Sequence, residues 1–110
     1  MANAPVVSDA AVQQVIDRIL AAAPGAEVLL FGSRARLEAR ADSDVDLLVI
    51  EPVVQSRREE VVRLSDVVRH LGIPVDIIVV SRRTYEDWAD TPGTVIYEAA
   101  REGKRFRSVA

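Results

Sequence analysis

Three aspartates in this sequence have the type and spacing needed to bind a metal ion. Asp44 and Asp46 open the apolar run DVDLLVI, and Asp76 stands near the start of a second run, VDIIVV. Alternate side chains of a strand share a face, so Asp44 and Asp46 should point the same way, about 7 Å apart. If the two strands are neighbours, all three carboxylates lie on one face. A divalent cation would neutralise such a cluster, and ligation by oxygen alone favours Mg²⁺ or Mn²⁺.

A second group of candidate residues, Gly32-Ser33, directly follows the apolar run AEVLLF. Glycine lets the backbone come close to a ligand, and serine can cap a following helical turn, which leaves N–H groups and a hydroxyl free. This corner suits a phosphate group. By itself, Gly-Ser is more typical of an ordinary turn between a strand and a helix.

Simpler interpretations of the acids are also open. Asp42 lies between Ala41 and Ser43, where turn formation is its expected role. Asp76 alone is compatible with an ion pair at a strand start. A calcium-binding loop opening at Asp42 is excluded, because Leu47 replaces its required glycine and Val53 stands at the position of its closing glutamate.

The composition excludes several other classes of site. The chain has no cysteine and one histidine, which rules out thiolate sites and makes an imidazole zinc site implausible. A Walker loop needs a lysine after its second glycine, and the only lysine is Lys104. With a net charge of -3, the chain is not expected to bind nucleic acid as its main partner. Basic residues near the end, Arg101, Lys104, Arg105 and Arg107, suit either a solvated terminus or contact with a partner or RNA.

The pattern of apolar residues and breakers predicts the elements that position these groups. Helices are predicted from about residue 12 to 20, over 56–71, and near 84–90 and 94–102; strands are predicted over 26–31, 44–50 and 75–80. Residues 33–38 suit a short helix or a turn. We therefore predict an α/β fold in one domain, residues 1–110, with central strands covered on both faces. No window is apolar enough to span a membrane and no signal peptide is visible, so the cytoplasm is the expected location.

The order and distance of the motifs resemble a known superfamily. Gly32-Ser33, ten further residues, and then Asp44-Val45-Asp46 are similar to the signature of the DNA-polymerase-β-like nucleotidyltransferases. The segment GSRARLEARADSDVDLLV resembles in particular the minimal nucleotidyltransferase (MNT) proteins, as does the closing GTVIYEAAREGKRF. The resemblance extends over residues 10–107, with Asp76 at the third acid. It implies a small mixed β-sheet with flanking helices. The sequence differs from this family pattern at Leu37, where many relatives have glycine.

The resemblance also implies an activity, namely transfer of AMP from ATP to a hydroxyl with two magnesium ions. In this family pattern, Asp44 and Asp46 hold both ions. Asp76 holds the ion nearest the acceptor and can help to accept its proton.

The family pattern extends to the phosphates and to a partner protein. Gly32 and Ser33 hold the terminal phosphates, and Arg34 or Arg36 neutralises charge. MNT proteins resemble one another in pairing with a helical HEPN toxin, which the MNT antitoxin silences by binding it or by adding AMP to it. The short chain makes a homo- or hetero-oligomer expected. Two alternatives remain open: an antitoxin whose catalysis is dispensable, and transfer to a small molecule or RNA.

Overall fold

The computed structural model of this chain describes residues 8–32 and 44–108. Along the chain the elements are α1 (Asp9–Ala22), β1 (Glu27–Phe31), β2 (Val45–Glu51), α2 (Arg57–Arg69), β3 (Val75–Ser81), α3 (Arg82–Trp88), α4 (Val95–Glu102) and β4 (Lys104–Arg107). The helices and strands predicted from the sequence are confirmed, with shifts of a few residues at their ends. The segment 33–38 lies outside the described residues.

The strands form one mixed sheet in the order β3-β2-β1-β4. β1 is antiparallel to both β2 and β4, whereas β2 and β3 are parallel and are connected through α2. A parallel pair needs such a crossover, and a helix provides it. The predicted α/β fold with a small mixed sheet is therefore confirmed.

Helices cover the central strands on both faces of the sheet. One core cluster packs α1 and α2 against Val45, Leu47 and Val49 of β2. The other packs α3 and α4 against Leu48 and Ile50 of the same strand. Because both sets of alternate side chains are buried, β1 and β2 appear in the sequence as continuous apolar runs.

Hydroxyl side chains set the starts of the helices. Ser8, Ser56, Ser81 and Thr94 each accept a hydrogen bond from a backbone N–H in the first turn of the helix that follows. These bonds satisfy donors that have no partner within a helix.

In the described ranges, no helix is both long and apolar enough to cross a bilayer.

The edge strand β4 is absent from the elements predicted from the sequence. Its sequence, KRFR, is short and mostly exposed, so it has no apolar pattern that distinguishes it from a solvated terminus. Pairing with β1 makes it a strand. The turn into it passes close to the sheet, since a Cβ at Gly103 would lie 3.3 Å from the carbonyl oxygen of Leu30.

Candidate active site

The register of β2 and β3 places two of the predicted site residues side by side. Asp46 and Asp76 are partners in this parallel pair, followed along the strands by Leu48 and Ile78. The side chains of partners point to the same face, and neighbouring strands are about 4.8 Å apart. Leu48 belongs to the core beneath α3 and α4, so both acids lie on that side of the sheet. The two strands are therefore neighbours, which was the condition for the acids to share a face.

Asp44 comes immediately before β2 and is exposed. The N–H of Val45 donates to the carbonyl oxygen of Pro74 at 2.9 Å, which joins this end of β2 to the chain that enters β3. Within residues 8–32 and 44–108, no three His, Cys, Asp or Glu side chains form a group that could hold a metal ion. The backbone thus brings the acids to one end of the sheet, and their joint ligation of a cation stays a prediction.

Gly32 lies directly against the carboxylate of Asp46. Phe31 is the partner of Asp46 across β1 and β2, so Gly32 continues past this end of the pair. It has a φ of +76°, and a Cβ built on it would overlap Oδ2 of Asp46 and lie 3.1 Å from Cγ. Glycine is required here both for the backbone conformation and for the close approach. Ser33, Arg34 and Arg36, the other predicted phosphate-binding residues, lie outside the described residues.

Replacing Gly32 with alanine is expected to impair catalysis more than folding. The left-handed backbone costs an L-residue about 1–2 kcal/mol, and the added methyl group displaces the Asp46 carboxylate. Displacement of this carboxylate by about 1 Å is expected to lower the rate of the nucleotidyl transfer implied by the sequence resemblance about 10- to 100-fold. Gly72→Ala is a matched control, because Gly72 also has a positive φ, +68°, with nothing within 4 Å of an added Cβ. Equal losses of activity in both variants, measured with their melting temperatures, would contradict this role.

The chemistry of these groups suits a hard cation. Asp44, Asp46 and Asp76 offer carboxylate oxygen alone, which Mg²⁺ and Mn²⁺ prefer. Carboxylates at adjacent, in-register positions can both bind one divalent ion, whose charge they balance. The oxygen donors of these three residues are therefore of the type that suits magnesium, and their joint binding of the ion stays a prediction.

A charged cluster that was not predicted from the sequence lies at the start of β1, at the end of the strand away from Gly32. Glu27 is buried and contacts Arg82 of α3, while Arg105 and Arg107 of β4 donate to its Oε2 at 2.7 and 3.0 Å. Burial by itself raises the pKa of Glu27, but hydrogen bonds and charges from Arg105 and Arg82 outweigh it and lower the pKa to about 2. The available signal was an acid inside an apolar run with an arginine-rich segment near the end of the chain.

A second buried acid, Glu51, ends β2 beneath α2. Its neighbour Glu60 accepts two hydrogen bonds from Arg63, at 2.6 and 2.7 Å, and Arg63 also donates to the carbonyl oxygen of Ala22 at 2.8 Å. Among the described residues, Oε2 of Glu51 has no hydrogen-bond partner. Burial, together with a hydrogen bond and repulsion from Glu60, raises the pKa of Glu51 to about 7. No role for Glu51 was predicted from the sequence.

Comparisons with known proteins agree with this architecture. A comparison with curated proteins gave no match. Among solved structures, a toxin-antitoxin with AMP-PNP has a TM-score of 0.56 and 18% identity, over 87% of this chain and 73% of the other. A mutant of the toxin-antitoxin MntA-HpeT has a TM-score of 0.53 and 16% identity, over 87% and 72%. At these identities, the likeness establishes a shared fold.

The family is shown by the sequence match. The model of the nucleotidyltransferase domain matches residues 12–100, which include Gly32, Asp44, Asp46 and Asp76. All four helices and three of the four strands begin or end within that range. The chain belongs to the nucleotidyltransferase domain family.

Proposed function

We propose that this chain is a magnesium-dependent nucleotidyltransferase that transfers AMP from ATP to a hydroxyl of a partner protein. The observation that carries the proposal is the pairing of Asp46 with Asp76, with Gly32 packed against the carboxylate of Asp46. It brings together an acidic group and a glycine corner from segments that are distant in sequence. Family membership supports the transferase class.

The acids would serve two purposes in this reaction. Asp44 and Asp46 would hold two magnesium ions, and Asp76 would hold the one nearer the acceptor. When bound, the ions supply charge stabilisation for the attacking and leaving oxygens. The acceptor hydroxyl forms a bond to the α-phosphorus of ATP, the bond to pyrophosphate breaks, and the carboxylate of Asp76 helps to accept the proton of the hydroxyl.

The corner after β1 would position the nucleotide. Gly32 allows the backbone to approach the terminal phosphates, and Ser33 would add a hydroxyl and an N–H group. Arg34 or Arg36 would neutralise charge on the phosphates as pyrophosphate departs. ATP is the proposed donor, in keeping with a structural neighbour described as a toxin-antitoxin with AMP-PNP, an analogue of ATP.

The proposed acceptor is a toxin that the chain silences as an antitoxin. Two structural neighbours are toxin-antitoxin proteins, which supports this context. We propose a HEPN-type toxin in a hetero-oligomer in the cytoplasm, since the resemblance to MNT proteins extends from residue 10 to residue 107. The described elements include no second domain that would grip an acceptor, and a bound partner could present its own hydroxyl.

Intact-mass measurement tests the proposal. The chain is incubated with ATP, Mg²⁺ and the product of the adjacent gene, and the partner is expected to gain the mass of one or more AMP groups. Asp66→Asn is the matched control for Asp46→Asn, because Asp66 is an exposed acid of α2 that pairs with Arg69. Complex formation without any gain in mass would contradict protein modification. Toxin neutralisation that survives Asp44→Ala with Asp46→Ala would indicate an antitoxin that acts by binding.

A further inference from the structure

The described residues include a positively charged pocket far from the candidate active site. Its volume is about 370 Å³, and its lining residues are Pro24, Gly25, Ala26, Glu27, Arg82, Arg107 and Ser108. This volume lies at the lower end of the range for small-ligand sites, about 300–1,000 Å³. Glu27 and Phe31, the partner of Asp46, stand at opposite ends of β1, so the pocket is separated from Asp46 by roughly 13 Å of strand.

Among residues 8–32 and 44–108, the charges around Glu27 do not balance. Three guanidinium groups, from Arg82, Arg105 and Arg107, meet this one carboxylate. Because they lower the pKa of Glu27 to about 2, the carboxylate is ionised at neutral pH and cancels one positive charge. Two positive charges remain in excess, in a chain whose net charge is -3. Water screens part of the repulsion among the arginines, because the side chain of Arg107 is 67% exposed and those of Arg82 and Arg105 are each 37% exposed, and a bound anion would relieve the rest.

The three arginines differ in how many donors they retain. Arg105 directs one terminal nitrogen to Glu27 at 2.7 Å and the other to the hydroxyl of Tyr85 at 3.1 Å. Arg107 gives Glu27 only its Nε, and the described part of the chain provides no acceptor for its two terminal nitrogens. Arg82 contacts Glu27 through one terminal nitrogen. A guanidinium has five N–H donors, so Arg82 and Arg107 can each bind a further oxygen ligand from the pocket.

We propose that this pocket is a second anion site, which binds the phosphate groups of pyrophosphate or of a free nucleotide. A guanidinium group can donate two parallel hydrogen bonds to two oxygens of a phosphate group. Glu27 already holds Arg82 and Arg107 in place, which lowers the conformational entropy lost when an anion binds. A polynucleotide would need a series of basic side chains along its backbone. This pocket is a single local site between β4, α3 and the turn before β1.

The test is a titration with pyrophosphate, followed by the amide signals of the protein in two-dimensional NMR. The protein carries Asp46→Asn with Asp76→Asn, and EDTA removes metal ions, so the result does not depend on the proposed function. We expect shifts at Gly25, Ala26 and Ser108. Arg107→Ala should weaken binding about tenfold or more, the loss expected for hydrogen bonds to a charged group. Arg107→Lys keeps the charge but loses the paired geometry, so it should give an intermediate affinity.

Arg69→Ala is the matched control, because it removes one exposed arginine from α2, outside the pocket lining. Pyrophosphate binding that Arg69→Ala weakens as much as Arg107→Ala would overturn the proposal, as would shifts confined to Gly32 and its neighbours. Absence of binding to the folded protein would also overturn it. If a short oligoribonucleotide binds more tightly than pyrophosphate and Arg107→Ala weakens both, the ligand of the pocket is a nucleic acid and the proposal of a free phosphate ligand is wrong.

Discussion

Replacing Asp46 or Asp76 with asparagine is expected to lower the rate of nucleotidyl transfer by about 1,000-fold or more. Each carboxylate would contribute several kcal/mol of charge stabilisation through the ions it holds, and 1.36 kcal/mol corresponds to a factor of ten. Asparagine keeps the size of the side chain and removes its charge. Asp76 is exposed and Asp46 is partly exposed, so both variants are expected to fold.

Thermal unfolding provides a measurement that is independent of activity. Mg²⁺ bound only to the folded state raises its stability, so Mg²⁺ should raise the melting temperature of the wild type and not that of Asp46→Asn. Without Mg²⁺, Asp76→Asn should unfold at nearly the same temperature as the wild type, because the side chain of Asp76 is exposed. Asp66→Asn is the control for both measurements. Retained activity in Asp46→Asn, or equal stabilisation of that variant by Mg²⁺, would exclude the proposed ligand set.

The second large effect is a loss of stability as the pH rises from about 5 to 8. The pKa of Glu51 is raised from 4.5 to about 7 in the folded chain, since burial and Glu60 disfavour its charge. Its protonated form therefore stabilises the fold fully below about 4.5, and this contribution is lost as the pH rises through about 7. The pKa of Glu60 is shifted in the opposite direction, so its contribution to stability changes with pH in the opposite direction. Arg63 and Glu51 lower its pKa to about 2, so its contribution is present above 4.5 and is lost at lower pH.

Between these limits, the folded Glu51–Glu60 pair holds one proton, because the pKa of Glu51 is raised and that of Glu60 is lowered. The unfolded chain holds two protons on these groups in acid and none at neutral pH, so their joint contribution to stability is greatest near pH 4.5. Glu51→Gln supplies a neutral donor at every pH. We expect this variant to be on the order of 2 kcal/mol more stable than the wild type at pH 8 and to lose the dependence between pH 5 and 8.

Urea unfolding at several pH values measures this effect. Glu59→Gln is the control, because Glu59 is an exposed acid beside Glu60 and the substitution removes the same charge. It should leave the slope of stability against pH unchanged. A wild-type slope of zero between pH 5 and 8, or a Glu51→Gln variant that declines in parallel with the wild type, would show that Glu51 does not carry a proton in this range.

Much of the fold followed from patterns within single segments. The apolar runs at residues 26–31, 44–50 and 75–80 predicted three strands, and their continuity predicted burial on both faces; for β1 and β2 the structure confirms this. The ends of the helices followed from the pattern of apolar residues and of helix breakers such as Pro74. The edge strand β4 could not be predicted, because a four-residue exposed segment becomes a strand only through a partner that is distant in sequence.

The sequence by itself determined the chemical types of the site, namely alternating aspartates and a glycine after a strand, since covalent spacing along an extended chain fixes which side chains share a face. Only the tertiary structure decided that Asp46 and Asp76 are partners and that Gly32 packs against Asp46. The tertiary structure also decided the surroundings of Glu27 and Glu51, and with them the direction in which each pKa is shifted. A pKa depends on burial and on charges brought close by folding, and neither can be obtained from neighbours in the sequence.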